Sequence, residues 1–245
     1  MRHETIEKAT GLLGVLIAIT VSIGGIAEII PLMNSAPVVE PAPGVEPYAP
    51  LRLAGRDIYI REGCYNCHSQ MVRPLRAETE RYGEYSKAGE FVYDHPFQWG
   101  SRRIGPDLQR VGGKYPDLWH VRHMDDPRAI TPGSIMPAYP TMLTTGLDFD
   151  SIPVTMRAHQ ILGVPYTDDD IVGGIAAARE QAAAISEGVV TQGGPEGLED
   201  KKIIALVAYL QRLGTDITKP APVAEEEETG EAVAAAETAA GEGAS

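Results

Sequence analysis

The chain contains little cysteine, few aromatic residues and fewer basic than acidic side chains. Its 245 residues include two cysteines, 6% aromatic residues, and 21 lysines and arginines against 34 aspartates and glutamates, which gives a net charge of −13 at pH 7. Two cysteines cannot complete a structural zinc site without further ligands. The acidity, and the lack of a basic patch that contains aromatic residues, argue against a nucleic acid as partner.

The two cysteines lie three residues apart in the segment REGCYNCHSQMVRP (residues 61–74), and His68 follows the second. A dithiol redox pair would usually belong to a βαβ unit, for which no pattern is seen, and a zinc site would have to recruit the distant His120 and His123. Covalent haem c attachment uses Cys-x-x-Cys-His, in which both sulfurs form thioethers and the histidine binds the iron. We therefore predict one covalently bound haem c, attached through Cys64 and Cys67 and ligated by His68.

The N-terminal segment has the composition of a membrane anchor. Residues 9–27 carry no charge, and apolar residues continue past Glu28 to Met33. This length suits a helix that crosses a lipid bilayer, whereas a cleaved signal peptide has a shorter apolar core and a better cleavage site than NSAP. Basic residues precede the span and none follows it before Arg52. The positive-inside rule therefore predicts a single-pass protein of the bacterial inner membrane, with a cytoplasmic N-terminus and a periplasmic haem domain.

Changes in composition divide the rest of the chain. Six prolines in residues 31–50 predict a short, stiff linker, and seven glutamates without lysine or arginine in residues 221–245 predict a disordered tail. The segment LAGRDIYIREGCYNCH predicts a helix that carries the haem motif at its C-terminal end, and residues 199–214 predict an amphipathic last helix that packs on it. The predicted fold is mostly α-helical, with a cytoplasmic N-terminus at 1–8, a transmembrane anchor at 9–33, a linker at 34–50, a haem domain at 51–218 that contains an Ala-rich helical insertion at 164–198, and an acidic tail at 219–245.

The order of motifs in the haem domain resembles that of a class I cytochrome c. Cys-x-x-Cys-His follows a helix, Gly-Pro-Asp-Leu occupies residues 105–108, Met-Pro occupies 136–137, and a Tyr-Leu pair lies in the last helix. In that family the proline carbonyl accepts a hydrogen bond from the proximal histidine. The resemblance therefore implies that Pro106 orients His68.

The second iron ligand is expected to be a methionine. Met71 lies one turn from His68 and belongs to the same side of the haem, whereas Met124, Met142 and Met156 are possible by residue type. Three prolines restrict the loop TPGSIMPAYP, and its resemblance to the Met-Pro ligand loop of class I cytochromes implies Met136.

Longer blocks are similar to the mono-haem subunit of the cbb-type cytochrome c oxidases, called FixO or CcoO. The blocks are GRDIYIREGCYNCHSQMVRP, DHPFQWGSRRIGPDLQRVGGKYPDLWHVRHMDDPR and PGSIMPAYP, behind an N-terminus that begins RHETIEKATGLL. The resemblance implies a subunit that relays electrons to a catalytic haem–copper oxidase subunit, where oxygen is reduced to water. It implies another cytochrome c subunit or a soluble cytochrome c as electron donor. Since the sequence has no multi-histidine transmembrane bundle, the chain is predicted to be a relay and not the oxygen-reducing site.

Other polar residues in these blocks have less defined roles. A guanidinium group matches the geometry of a carboxylate, so we predict that one or more of Arg73, Arg103 and Arg128 contacts the haem propionates. Arg102 lies in the same blocks and shares this possibility. The histidines His95, His120 and His123 are predicted to be structural, and Trp99 and Trp119 to pack around the haem.

Four other functions were weighed against this one. A membrane-tethered shuttle cytochrome would need a longer and more flexible tether. The cytochrome subunit of a quinol–cytochrome c reductase is usually anchored at its C-terminus. A haem-based gas sensor needs an open iron position, and a haem peroxidase normally needs a second haem motif.

Overall fold

Helices account for the regular structure of the residues described here. The computed structural model describes residues 3–35, 40–100 and 102–218, and no β-strand lies within these ranges. The α-helices in them are α1 (His3–Lys8), α2 (Thr10–Met33), α3 (Pro50–Arg61), α4 (Arg76–Tyr82), α5 (Asp117–Asp125), α6 (Pro127–Ile130), α7 (Thr141–Thr144), α8 (Ile152–Ile161), α9 (Asp168–Thr191) and α10 (Lys202–Arg212). The predicted mostly α-helical class is confirmed. The predicted tail at 219–245 and part of the linker lie outside the described residues.

Helix α2 has the length and surface of a membrane span. It contains 24 residues with a mean hydropathy of 2.2, and none of its side chains is buried against the rest of the protein. A helix of this length rises about 36 Å at ~1.5 Å per residue, which exceeds the ~30 Å hydrocarbon core of a bilayer. Within the described residues it is the one helix that is long and apolar enough to cross a membrane, and it fits a membrane anchor.

The first and last helices of the region 51–218 pack on each other, as the sequence predicts. Ile203, Leu206, Val207 and Leu210 of α10 are buried, as is Leu213, which follows the helix. The two backbones come close at Gly55 of α3. A Cβ atom at Gly55 would overlap the carbonyl group of Ala205 and lie 2.8 Å from the Cβ of Tyr209. Gly55 is therefore required for the close approach of α3 and α10.

The Ala-rich segment forms one long helix that belongs to the core. Thr167 caps α9, since its hydroxyl accepts from the Asp170 N–H at 3.1 Å and the Asp170 carboxylate accepts from the Thr167 N–H at 2.8 Å. The buried side of α9 carries small residues, among them Ala178 and Ala182, which are fully buried. These small side chains let α9 pack closely against α3, α8, α5 and α10. The segment at 164–198 thus supports the same core as the helices on either side of it.

Replacing Gly55 by alanine should destabilise the domain. The new methyl group would force α3 away from α10, which should lower the free energy of unfolding by about 1–3 kcal/mol or more. Thermal unfolding of the full-length protein in mild detergent would measure this. Gly173→Ala on α9 is the matched control, because a Cβ there meets nothing within 4 Å. That control should be neutral or stabilising by up to about 1 kcal/mol. Equal effects of the two substitutions would contradict the role of Gly55.

Candidate cofactor-binding cleft

A cleft of about 530 Å³ opens between α5, α10 and the loops that carry the sequence motifs. This volume lies within the range of roughly 300–1,000 Å³ that is usual for ligand and cofactor sites. The cleft wall includes five of the eight residues predicted to form the haem site, namely Cys64, Cys67, His68, Pro106 and Met136. Residues that are up to about seventy positions apart in the chain therefore meet around one cavity.

The two cysteines lie on a short turn that follows α3. The sequence predicts that the first helix carries the motif, but α3 ends at Arg61 and the motif begins on a separate 3₁₀ turn, Cys64–Asn66. Gly63 separates the two with φ = +74°, a conformation that glycine adopts without strain and that ends the helix. The His68 N–H then donates to the Cys64 carbonyl at 3.0 Å, which folds the motif into one compact turn.

The His68 imidazole is held from two sides. Its Nδ1 lies 2.8 Å from the Pro106 carbonyl oxygen, which can only accept, so Nδ1 is the protonated nitrogen in this contact. A Cβ atom at Gly105 would lie 2.7 Å from the same Nδ1, so only glycine leaves room for the ring. Burial lowers the pKa of His68 below its usual value, which favours the neutral ring. A neutral imidazole whose Nδ1 is fixed presents the lone pair of Nε2, as a metal ligand requires.

The Cys64 thiol lacks the lowered pKa of a reactive redox cysteine. Cys64 and Cys67 are free and partly buried. Burial raises the pKa of the Cys64 thiol to about 12, whereas a reactive redox cysteine has a lowered pKa. In the described part of the chain, no group of three or more His, Cys, Asp or Glu side chains is placed to hold a metal ion. The dithiol and zinc alternatives both lose support, and the cleft fits a haem held by two thioethers and one imidazole.

Two of the candidate methionines line the cleft. Met142 and Met156 are almost fully buried in the hydrophobic core and are not part of the cleft wall, whereas Met124 and Met136 are. Met124 is also buried and belongs to the core cluster, while Met136 is partly buried and lies in the loop. The Met136 N–H donates to the Ser134 hydroxyl at 3.2 Å, and the Tyr139 N–H donates to the Met124 carbonyl at 2.7 Å. The first contact lies within the methionine loop, and the second holds the loop against α5.

The arginines predicted to contact propionates lie away from the cleft wall. Arg73 and Arg103 both pair with the Glu78 carboxylate. Although burial acts in the opposite direction, the hydrogen bonds from these arginines lower the pKa of Glu78 to about 2, so the pairs persist at neutral pH. Arg128 is exposed, and its side chain forms no ion pair with a described residue.

The cations that do line the cleft are Arg110 and Lys114, among the residues described. The two terminal guanidinium nitrogens of Arg110 donate to the buried Glu90 carboxylate at 2.6 and 2.8 Å. The charge of Arg110 is therefore already balanced. Lys114 is exposed, and no described carboxylate pairs with it. Sequence reasoning missed Lys114. Its position in GGKYP could have indicated it, because this segment lies between the Gly-Pro motif and the helix that carries Trp119 and His120.

Three rings at four-residue spacing, one just before α5 and two on it, line the cleft. Tyr115 stacks on Trp119 with ring centroids 4.0 Å apart, and Trp119 stacks on His123 at 4.6 Å. His120 lines the same wall, and burial lowers its pKa to about 4. Trp119 therefore lies where a packing residue is expected, whereas Trp99 lies outside the cleft wall and stacks on Phe97 at 4.5 Å.

Comparison with known proteins gives one result that covers most of the chain. The model of a family described as cytochrome c oxidase, mono-heme subunit/FixO, matches residues 3–217. The matched region begins before the apolar helix α2 and ends after α10, so it contains the whole cleft. A search of curated proteins finds no match.

Proposed function

This chain belongs to the FixO family of mono-haem cytochrome c oxidase subunits, and we propose that it relays electrons to the catalytic haem–copper subunit of a cbb-type oxidase. Membership implies one haem and a complex with a catalytic oxidase subunit. The observation that carries the proposal is the cleft, in which both cysteines, His68 and Met136 meet within the matched region. We propose another cytochrome c subunit or a soluble cytochrome c as the electron donor.

We propose that four residues hold the cofactor. Cys64 and Cys67 would form the thioether bonds, and His68 and Met136 would ligate the iron. The haem would supply a one-electron couple, and ligation by imidazole and thioether would raise its potential relative to two imidazoles. Because His68 and Met136 would both bind the iron, these side chains would exclude oxygen from it. Oxygen reduction is therefore assigned to the catalytic subunit.

The proposed topology follows from α2 and the charges around it. Arg2 and Lys8 precede the helix, and the next basic residue is Arg52. This asymmetry favours a cytoplasmic N-terminus and a periplasmic haem domain at a bacterial inner membrane. The short linker keeps the cleft close to the membrane face, where the catalytic subunit lies.

The function is tested with the two cysteines. Cys64→Ala combined with Cys67→Ala should abolish the covalent haem, since neither thioether can form. The full-length chain would be tagged and purified in mild detergent. Haem staining after denaturing electrophoresis would report attachment, and oxygen consumption by the co-purified complex would report electron delivery.

Both signals should be present in the wild type and absent in the double variant. A stained band in the double variant would contradict haem c attachment. A wild-type chain that carries haem but purifies without an oxidase would contradict the proposed complex and favour a membrane-tethered shuttle.

The ligand role of Met136 is tested with leucine. Met136→Leu removes the only donor atom of the side chain, so the absorption bands should shift from low spin towards high spin and the midpoint potential should fall. Covalent haem should be retained, because the cysteines are unchanged. Met124→Leu is the matched control on the same cleft wall and should leave the spectrum unaltered. An unaltered low-spin spectrum in Met136→Leu would move the ligand to Met124 or His123.

We propose Lys114 as the residue that contacts a haem propionate, because it is the one cleft-lining cation in the described chain that lacks a carboxylate partner. This assignment replaces Arg73 and Arg103, which already pair with the Glu78 and Asp107 carboxylates. Lys114→Gln should lower the midpoint potential, since removing a cation stabilises ferric haem. It should also shift the propionate bending bands of the resonance Raman spectrum.

Two further substitutions make the Lys114 test specific. Lys114→Arg should behave like the wild type. Arg157→Gln removes one positive charge at the exposed pair with Asp168 and should leave both signals unchanged. Arg128→Gln provides the competing assignment. Shifts in that variant, with none in Lys114→Gln, would assign the propionate contact to Arg128 instead.

A further inference from the structure

The bond between His68 and Pro106 lies between two other contacts that join the same segments. The Gly105 N–H donates to the Cys67 carbonyl at 3.0 Å, and the Leu108 N–H donates to the Ser69 carbonyl at 2.9 Å. One of these contacts precedes His68 in the chain and the other follows it. The spacing of the two segments, and with it the distance from Nδ1 to the Pro106 oxygen, is therefore fixed from both sides.

The Asp107 carboxylate strengthens this arrangement from within the protein. Its Oδ2 accepts from the Ser69 hydroxyl at 2.6 Å and from the Met71 N–H at 2.9 Å, and its Oδ1 accepts from the Gln109 N–H at 2.9 Å. The side chain has 0% exposure to solvent. One carboxylate thus connects the residues that follow His68 with the residues that follow Pro106, and three donors satisfy its oxygens.

Arg103 completes the network. Its Nε donates to the Ser69 hydroxyl at 2.7 Å, one of its terminal nitrogens donates to the Met71 carbonyl at 2.6 Å, and the same nitrogen lies 3.5 Å from the Asp107 carboxylate. The hydrogen bonds of Arg103 therefore join the same residues that Asp107 connects. The arginine predicted to bind a propionate therefore pairs with Asp107 and Glu78 instead.

We propose that Asp107 is a positioning residue that sets the strength of the hydrogen bond between His68 and Pro106 and, through it, the potential of the iron. The proposal rests on the proposed haem site. A short, fixed Nδ1–H···O=C bond gives the imidazole more electron density, which stabilises ferric iron and lowers the potential. Without Asp107, the Ser69 and Pro106 segments lose their direct side-chain link. The bond should then lengthen, and the potential should rise.

Three substitutions separate positioning from charge and from stability. Asp107→Asn removes the charge and at least one acceptor. Asp107→Glu keeps the charge but moves it by one methylene. Ser69→Ala removes one bond to Asp107 without any change of charge. The control is Asp216→Asn, which removes a buried carboxylate that pairs with Arg212 outside the cleft wall.

The experiment is a redox titration of the full-length protein in mild detergent, with absorption spectra and thermal unfolding of each variant. All variants should remain low spin. Asp107→Asn should shift the reduction equilibrium towards the ferrous form by about tenfold, which is 59 mV for a one-electron couple. Ser69→Ala should raise the potential by a smaller amount. Asp107→Glu should not have the wild-type potential, although it keeps the charge. Asp216→Asn should leave the potential unchanged.

Several outcomes would overturn the proposal. If Asp107→Asn and Ser69→Ala lower the unfolding temperature but leave the potential unchanged, Asp107 is structural only. If Asp107→Asn shifts the potential while Ser69→Ala and Asp107→Glu do not, the effect is that of charge alone. Should Asp107→Asn fail to fold, Ser69→Ala still decides between these readings. A wild-type chain that carries no haem would instead contradict the proposed function, so the two failures are distinguishable.

Discussion

The hydrogen bond from His68 to Pro106 is the contact on which the cleft depends. It is 2.8 Å long, and it joins two segments that are 38 residues apart in the chain. The imidazole must present one nitrogen to the cleft, which is possible only if the other nitrogen is held, and a backbone carbonyl can hold it without a charge of its own. Gly105 leaves space for the ring. The backbone hydrogen bonds to Cys67 and Ser69 fix the distance between the two segments. The other features of the cleft are arranged around this fixed ring.

The helical scaffold explains why these segments stay together. The helices α3 and α10 meet at Gly55, so the turn that follows α3 has a fixed origin. The Tyr209 hydroxyl of α10 donates a hydrogen bond to the Gln70 side-chain oxygen at 2.8 Å. This bond connects the last helix directly to the segment after His68. The long α9 fills the space behind α3 and α10 with small side chains, so a change in its packing would be transmitted to the cleft.

Sequence reasoning predicted the helical class and the apolar span, and it was incomplete where the structure depends on distant contacts. The Cys-x-x-Cys-His motif, the apolar span and the face of α10 can each be read from neighbouring residues, and the helical class follows from them. The end of α3 at Arg61 depends on a positive φ at Gly63, which an amphipathic pattern does not reveal. The roles of the arginines depend on which carboxylate each one meets. Nothing in the spacing of Arg73 and Arg103 indicates that Glu78 pairs with both of them.

The two sides of the cleft differ in how firmly their proposed ligands are held, and this difference suits an electron relay. The His68 side is fixed by backbone bonds, a buried carboxylate and a partly buried arginine. The Met136 side is a partly buried loop that is held by hydrogen bonds at Ser134 and Tyr139 and restricted by its prolines. If His68 binds the proposed iron, its imidazole would hold the iron in one position, because the network cannot move without breaking several bonds at once. A thioether from the Met136 loop would be freer to adjust its distance to the iron. In the proposed site, the histidine side would therefore set the geometry and the loop side would adapt to it.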